Sequence, residues 1–149
     1  MASQSNWSGG CLCGKVRFQL ASDPFDAGWC HCRTCQLSSG SPAMVFASVP
    51  DGNWMAVRGA ELICTVKSSS FGHRAFCGAC GTPLYMRVDH QPETLDFSVA
   101  TLDEPGRVVP GFHIFWASRI AWFNPGDDLP RYDGFRPDTR GLEGGQAPE

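Results

Sequence analysis

Arg74-Ala75-Phe76-Cys77-Gly78-Ala79-Cys80-Gly81-Thr82-Pro83-Leu84 reads as two short strands meeting at a metal knuckle. Two cysteines separated by two residues face a common point. Gly78 and Gly81 permit the tight turn, and backbone N–H groups there can point at sulfur. Arg74-Ala75-Phe76 enters as a strand and residues 83–88 leave as another, which places the knuckle at a hairpin end.

The same reading extends in both directions. Residues 15–20 alternate polar and apolar, as a half-buried strand does. Residues 28–32, 43–49, 61–66, 94–100, 111–115 and 119–123 are further strand candidates. Asp23-Pro24, residues 50–53 and Pro105-Gly106 are turns, and residues 38–42 form a loop. No stretch shows a sustained helical period with caps, and no internal repeat or linker is evident. The expectation is an all-β single domain of short antiparallel strands, with metal sites at hairpin ends.

Composition agrees. The chain has 149 residues, a length that suits one domain. Its 10 Phe and 5 Trp exclude a disordered or fibrous chain. Its 17 Gly and 11 Pro punctuate apolar runs instead of forming low-complexity tracts. A formal charge of −3 argues against nucleic acid or an anionic membrane as partner. No basic region followed by an apolar core marks a secretory signal, and no apolar run approaches the ~20 residues of a membrane span. The expected location is cytoplasmic. Residues 1–8 read as an N-terminal extension, 9–135 as the domain, and 136–149 as a flexible C-terminal tail.

Eight cysteines need an explanation: Cys11, Cys13, Cys30, Cys32, Cys35, Cys64, Cys77 and Cys80. A reducing compartment disfavours disulfides, and neighbours this close cannot easily bridge each other. Thiolate clusters favour zinc, with an iron–sulfur cluster as the rival for the same ligands. Cys11 and Cys13 complete the Cys77/Cys80 knuckle most economically. That pairing gives a closed four-sulfur site with no position for chemistry. Cys30, Cys32 and Cys35 then form a triad that leaves a fourth zinc position open, as catalytic zinc requires. Two other arrangements stand beside this one. Cys11/Cys13 with Cys30/Cys32 would leave Cys35 to the knuckle, and a single structural zinc would leave spare buried thiols. Cys64, in the apolar run Leu62-Ile63-Cys64-Thr65-Val66, reads as a small core residue. In an extended chain His31 points away from Cys30 and Cys32, and so away from their ion.

The ordered set Gly9-Gly10-Cys11-Leu12-Cys13-Gly14-Lys15-Val16-Arg17, Cys30-His31-Cys32-Arg33-Thr34-Cys35 with Ser39-Gly40-Ser41-Pro42, the knuckle stretch, and His113-Ile114-Phe115 with Ala121-Trp122 resembles the glutathione-dependent formaldehyde-activating enzyme (GFA) family, which shares its domain with centromere protein V. The resemblance covers roughly residues 9 to 135. It implies a β-tent-like all-β fold holding two zinc ions, a structural one on Cys11, Cys13, Cys77 and Cys80 and a catalytic one on Cys30, Cys32 and Cys35. It implies a carbon–sulfur lyase acting on the adduct of glutathione with formaldehyde, with small-molecule thiol and aldehyde partners. Many members carry one or two basic residues just after the third triad cysteine, where this chain has Gln36-Leu37. The reaction expected is reversible addition of a thiol, glutathione or similar, to formaldehyde or another small aldehyde. Arg33, His31 and His73 are candidate donors to the oxyanion. The rival from another class is a non-catalytic zinc-stabilised binding module.

Overall fold

The computed structural model describes residues 6–142. Among the described residues, ten strands, one short α-helix and four single-turn 3-10 helices make up the regular structure; the strands and α-helix are β1 (Trp7–Gly10), β2 (Arg17–Leu20), β3 (Phe25–Cys30), α1 (Arg33–Ser39), β4 (Met44–Pro50), β5 (Trp54–Arg58), β6 (Ile63–Lys67), β7 (Gly72–Cys77), β8 (Pro83–Val88), β9 (Thr94–Ser98) and β10 (His113–Ile114). They form a three-stranded sheet of order β1-β2-β5 and a seven-stranded sheet of order β10-β3-β4-β9-β8-β7-β6. The pairing is antiparallel except for β10, which lies parallel to β3. The chain is therefore mostly β, as expected, with one parallel pair at the edge of the large sheet.

The two sheets share one core. Phe18 and Leu20 on β2, Trp54 on β5 and Trp7 on β1 meet Ala47, Val49, Leu95, Phe97 and Leu84 from the large sheet. Phe18 is fully buried, stacked on Trp54 at 4.7 Å between ring centroids and 6.3 Å from Phe97. Alternation along β4 and β9 sends Ala47, Val49 and Phe97 into this core, while Phe46 faces the opposite side of the large sheet, where a second cavity lies. In β8 the period breaks. Ala75 pairs with Tyr85 and Phe76 with Pro83, so β8 carries one extra residue, Leu84. This bulge lets Leu84 and Tyr85 both pack against the core and turns Met86 toward the cavity.

Several local readings need correction. α1 occupies 33–39, which the sequence offers as no helix. It spans fewer than two turns and buries only Cys35 and Gln36, too short for a hydrophobic period to register. Its ends are nevertheless capped: the Cys32 sulfur accepts the Cys35 N–H, and Gly40 takes a left-handed conformation at φ 67°. β3 stops at Cys30, so His31 and Cys32 are not extended strand. Residues 119–123, expected as a strand, form turns and irregular chain, and Cys64 is exposed on the edge strand β6 instead of lying in the core. Edge position explains Cys64, because β6 is covered by neither the small sheet nor a helix.

β1 begins at Trp7, inside the stretch read as an extension. At the other end, Arg136 lies over the Phe112 ring at 4.2 Å, and Arg140 pairs with Glu93 at 3.4 Å. Residues 1–5 and 143–149 of the expected extension and tail lie outside the described residues.

Because Phe18 touches both sheets, Phe18→Ala should lower stability by ~3–5 kcal/mol, the usual range for a buried aromatic. Urea unfolding of the metal-loaded chain measures this; a loss below ~1 kcal/mol would show that the sheets do not share this core.

Candidate metal centres and active site

The structure gathers seven of the eight cysteines into two groups. The Sγ atoms of Cys11, Cys13, Cys77 and Cys80 all lie within 4.8 Å of one another, and so do those of Cys30, Cys32 and Cys35. The sulfurs are thiols and not disulfides. Among the described residues, no fourth His, Cys, Asp or Glu joins the second group.

The first group joins two hairpins. Cys11 and Cys13 sit in the β1–β2 connection, while Cys77 ends β7 and Cys80 sits in the turn to β8. Glycine is needed on this turn for two reasons. Gly81 holds φ 83°, and a Cβ on Gly78 would meet the Cys64 sulfur at 2.8 Å and the Leu62 carbonyl oxygen at 2.9 Å. The Val16 N–H donates to Cys11 Sγ at 3.3 Å. Four sulfurs about 2.3 Å from a shared tetrahedral ion stand about 3.8 Å apart. Cys11–Cys13 at 3.5 Å and Cys13–Cys77 at 3.9 Å bracket that spacing. A disulfide would need about 2.05 Å. The donor set therefore fits zinc.

The second group is assembled by the end of β3 and the first turn of α1. Cys30 closes the strand, Cys32 caps the helix, and Cys35 N–H donates to Cys32 Sγ at 3.3 Å. Cys30 and Cys35 are buried, whereas Cys32 is half-buried. The crowding is visible in their acidities. The Cys30 and Cys35 sulfurs hold the Cys32 thiol far below its usual pKa, helped by the Cys35 N–H and the Arg74 charge against burial. Cys32 and Cys35 in turn push Cys30 well above its usual value, as does burial. One sulfur ionises at the expense of its neighbours unless a cation sits among them.

Arg74 is the charged group at this centre. It is 9% exposed on β7. Nη2 donates to Cys35 Sγ at 3.3 Å and Nη1 to Met44 Sδ at 3.7 Å. Its guanidinium lies 5.7 Å from the centroid of the Phe46 ring. The Arg74 Nε–H is buried with no protein partner among the described residues. Sequence reasoning missed Arg74 and named its neighbour His73. The alternation of β7 decides between them: His73 points out and pairs with Asp89 at 3.3 Å, while Arg74 points in. Arg33 is likewise spent on Gln36 Oε1 at 3.2 Å.

His31 lies outside the sulfur group, as expected of its side chain, but it is fully buried. Its Nε2 is 2.8 Å from His113 Nδ1, and His113 Nε2 is 3.0 Å from an Asp127 carboxylate oxygen. The carboxylate accepts the proton on His113 Nε2, and one proton is shared between His113 Nδ1 and His31 Nε2. Burial, then the nearby His113, lowers His31 to about 4 and keeps it neutral. The His113 hydrogen bond, chiefly, holds the Asp127 carboxyl below its ordinary range. The sequence signal for this chain was the His113-Ile114-Phe115 pattern; Asp127 carried none.

Cys30 and Cys32 open on a cavity of about 270 Å³ on the face of the large sheet opposite the core. Arg74 forms part of its wall, with Phe46, Phe71, Phe115 and Phe135. A sulfur triad with an uncovered side, a buried cation and a partly open apolar cavity is an arrangement suited to a small ligand. No helix among the described residues is long and apolar enough to cross a membrane.

The chain is similar to known proteins. The family model described as glutathione-dependent formaldehyde-activating enzyme matches residues 6–118. A Schizosaccharomyces pombe protein called an uncharacterized lyase is 34% identical over 79 residues, 53% of this chain and 56% of its own length. A Halomonas elongata protein named for glutathione-dependent formaldehyde activation is 28% identical over 101 residues, 64% of each chain. The chain thus matches roughly six tenths of the length of these curated relatives. A crystal structure of a Rhodobacter sphaeroides protein shares the fold with a TM-score of 0.56 at 21% identity, covering 83% of this chain and 98% of that one. On the match across residues 6–118, this chain belongs to the glutathione-dependent formaldehyde-activating enzyme family.

Proposed function

We propose that the chain is a zinc-dependent carbon–sulfur lyase that reversibly adds a thiol to formaldehyde or another small aldehyde. The observation that carries this reading is the three-sulfur group, short of a fourth donor among the described residues, placed on the wall of a partly open apolar cavity. The lyase and formaldehyde-activating names of the relatives support the same chemistry. Cys11, Cys13, Cys77 and Cys80 would hold a structural zinc ion, and Cys30, Cys32 and Cys35 a catalytic one. Bound there, zinc supplies a positive charge that lowers the pKa of a thiol arriving at the remaining position.

The chain's own residues do the rest. The cavity seats thiol and aldehyde side by side, which converts a bimolecular encounter into a positioned one. The thiol sulfur forms a bond to the carbonyl carbon, the C=O π bond breaks, and its electron pair goes to oxygen. The proton released by the thiol ends on that oxygen, giving the hemithioacetal. In the reverse direction the C–S bond breaks and the aldehyde leaves. Arg74 is placed to donate to the developing oxyanion, because it lines the cavity and its guanidinium lies beside the sulfurs. The His31–His113–Asp127 chain holds the bend between Cys30 and Cys32 on the side away from the sulfurs.

Native mass spectrometry should find two zinc ions per chain. Cys32→Ser should remove one of them and reduce thiol–formaldehyde addition to the uncatalysed rate while the fold survives. Cys80→Ser should instead abolish cooperative unfolding, because the closed site supplies folding free energy. A Cys32→Ser protein that keeps both ions and full activity would refute the assignment.

Arg74→Lys keeps the charge but loses the planar fork and Nε–H. It should lower kcat by about 10²-fold with zinc content unchanged. A loss smaller than about threefold would remove Arg74 from the chemistry.

A further inference from the structure

The cavity beside the sulfurs has a chemistry of its own. Phe46, Phe71, Met86, Ile114, Phe115 and Phe135 supply most of its wall. The aromatic members are held by one another: Phe135 packs edge-on against Phe115 at 4.9 Å and against Phe71 at 6.1 Å. Ser68, Ser69 and Thr34 are the hydroxyl groups on the wall, and Arg74 is its one charged side chain. That guanidinium is already engaged by the sulfurs of Cys35 and Met44 and by the Phe46 ring. It lies at the sulfur end of the cavity, against Phe46.

The chain segment after the triad offers no cation either. Gln36 is buried, and its amide donates to the carbonyl oxygens of His31 at 2.9 Å and Ser118 at 3.1 Å. Leu37 is exposed. Of the cations next in chain to lining residues, Arg136 is paired with Asp26, and Arg33 donates to the Gln36 amide oxygen. Glutathione carries two carboxylates and one ammonium at neutral pH. Moving such groups against a phenylalanine wall without partners is costly.

We infer that the thiol used by this site carries an uncharged apolar substituent, aromatic or branched aliphatic, and is not glutathione. The inference rests on the thiol–aldehyde reading given above. A thiol whose sulfur reaches Cys30 and Cys32 must extend its substituent along the cavity, onto Phe71, Phe115 and Phe135. The aldehyde contributes one small carbon beside Arg74. Rings on rings in the cavity give the apolar substituent both area burial and edge-to-face contacts.

Benzyl mercaptan and glutathione serve as the probes, each titrated calorimetrically into the zinc-loaded chain and each assayed with formaldehyde against the uncatalysed rate. Benzyl mercaptan should bind at least about tenfold more tightly than glutathione and show the higher kcat/KM. Phe135→Ala and, separately, Phe71→Ala should each weaken benzyl mercaptan binding by about tenfold and leave glutathione binding unchanged, with zinc content and thermal midpoint checked for each variant. Equal or tighter binding of glutathione overturns the inference, and so does the absence of benzyl mercaptan binding. Tight, phenylalanine-dependent binding of benzyl mercaptan without turnover of either thiol upholds the apolar site and overturns the lyase reading instead.

Discussion

The four sulfurs of Cys11, Cys13, Cys77 and Cys80 join a hairpin of the small sheet to a hairpin of the large one. The small sheet has strands of four and five residues, too little to stand alone. It persists because Phe18, Leu20 and Trp54 bury against the large sheet and because its first turn is held at the knuckle. The consequence reaches the other centre through β7. Cys77 and Arg74 are three residues apart on that strand, so fixing the knuckle sets the register in which Arg74 meets Cys35. The closed site and the open one are mechanically one hairpin apart.

The large sheet separates two environments. One face is the core, dry and packed. The other carries the cavity, with Phe46 and Met86 on it and Arg74 at its end. β3 delivers Cys30 to this second face, and the chain then turns into α1, which brings Cys32 and Cys35 to the same point. A strand alone could align Cys30 with Cys32, but Cys35 would be on the other side. The helical turn removes that parity problem, since residues i and i+3 share a face. Spacing of the Cys-x-Cys-x-x-Cys kind therefore carries its own structural statement: strand end, bend, helix start.

Much of this was legible. Cysteine spacing favoured, over two alternatives, the two groups that the fold brings together; apolar alternation located β2 and β9, an apolar run located β4, and the knuckle located β7 and β8. Other features left little trace. β1 and β5 are short strands with Gly or exposed positions, and α1 is stabilised by the Cys32 cap and by Gln36 instead of an apolar stripe. Arg74 was hidden by its type, since a charge on a strand reads as surface until its partners across the sheet are known. The bulge at Leu84 shifts the period midway along β8, which no alternation pattern anticipates. Cys64 misled because an apolar run at an edge looks like one at the centre.

The histidine chain helps to hold the bend between Cys30 and Cys32. Beyond Cys30 the chain leaves β3, yet His31 N–H still donates to Ile114 O at 3.0 Å, and its ring is clamped between His113 and Trp116. Arg119 and Arg131 lie over Trp116, each 4.6 Å from its ring, and Arg131 also pairs with Asp127. A protonated His31 would add a charge to a buried site that already has these two cations nearby, which is the physical reason it stays neutral. His31 Nε2 and His113 Nδ1 share one hydrogen bond, and Asp127 holds His113 from its other ring nitrogen. The backbone between the first two sulfurs is thus held from the side away from the cavity. Their convergence is set by the protein, and an arriving ligand meets a site whose geometry already exists.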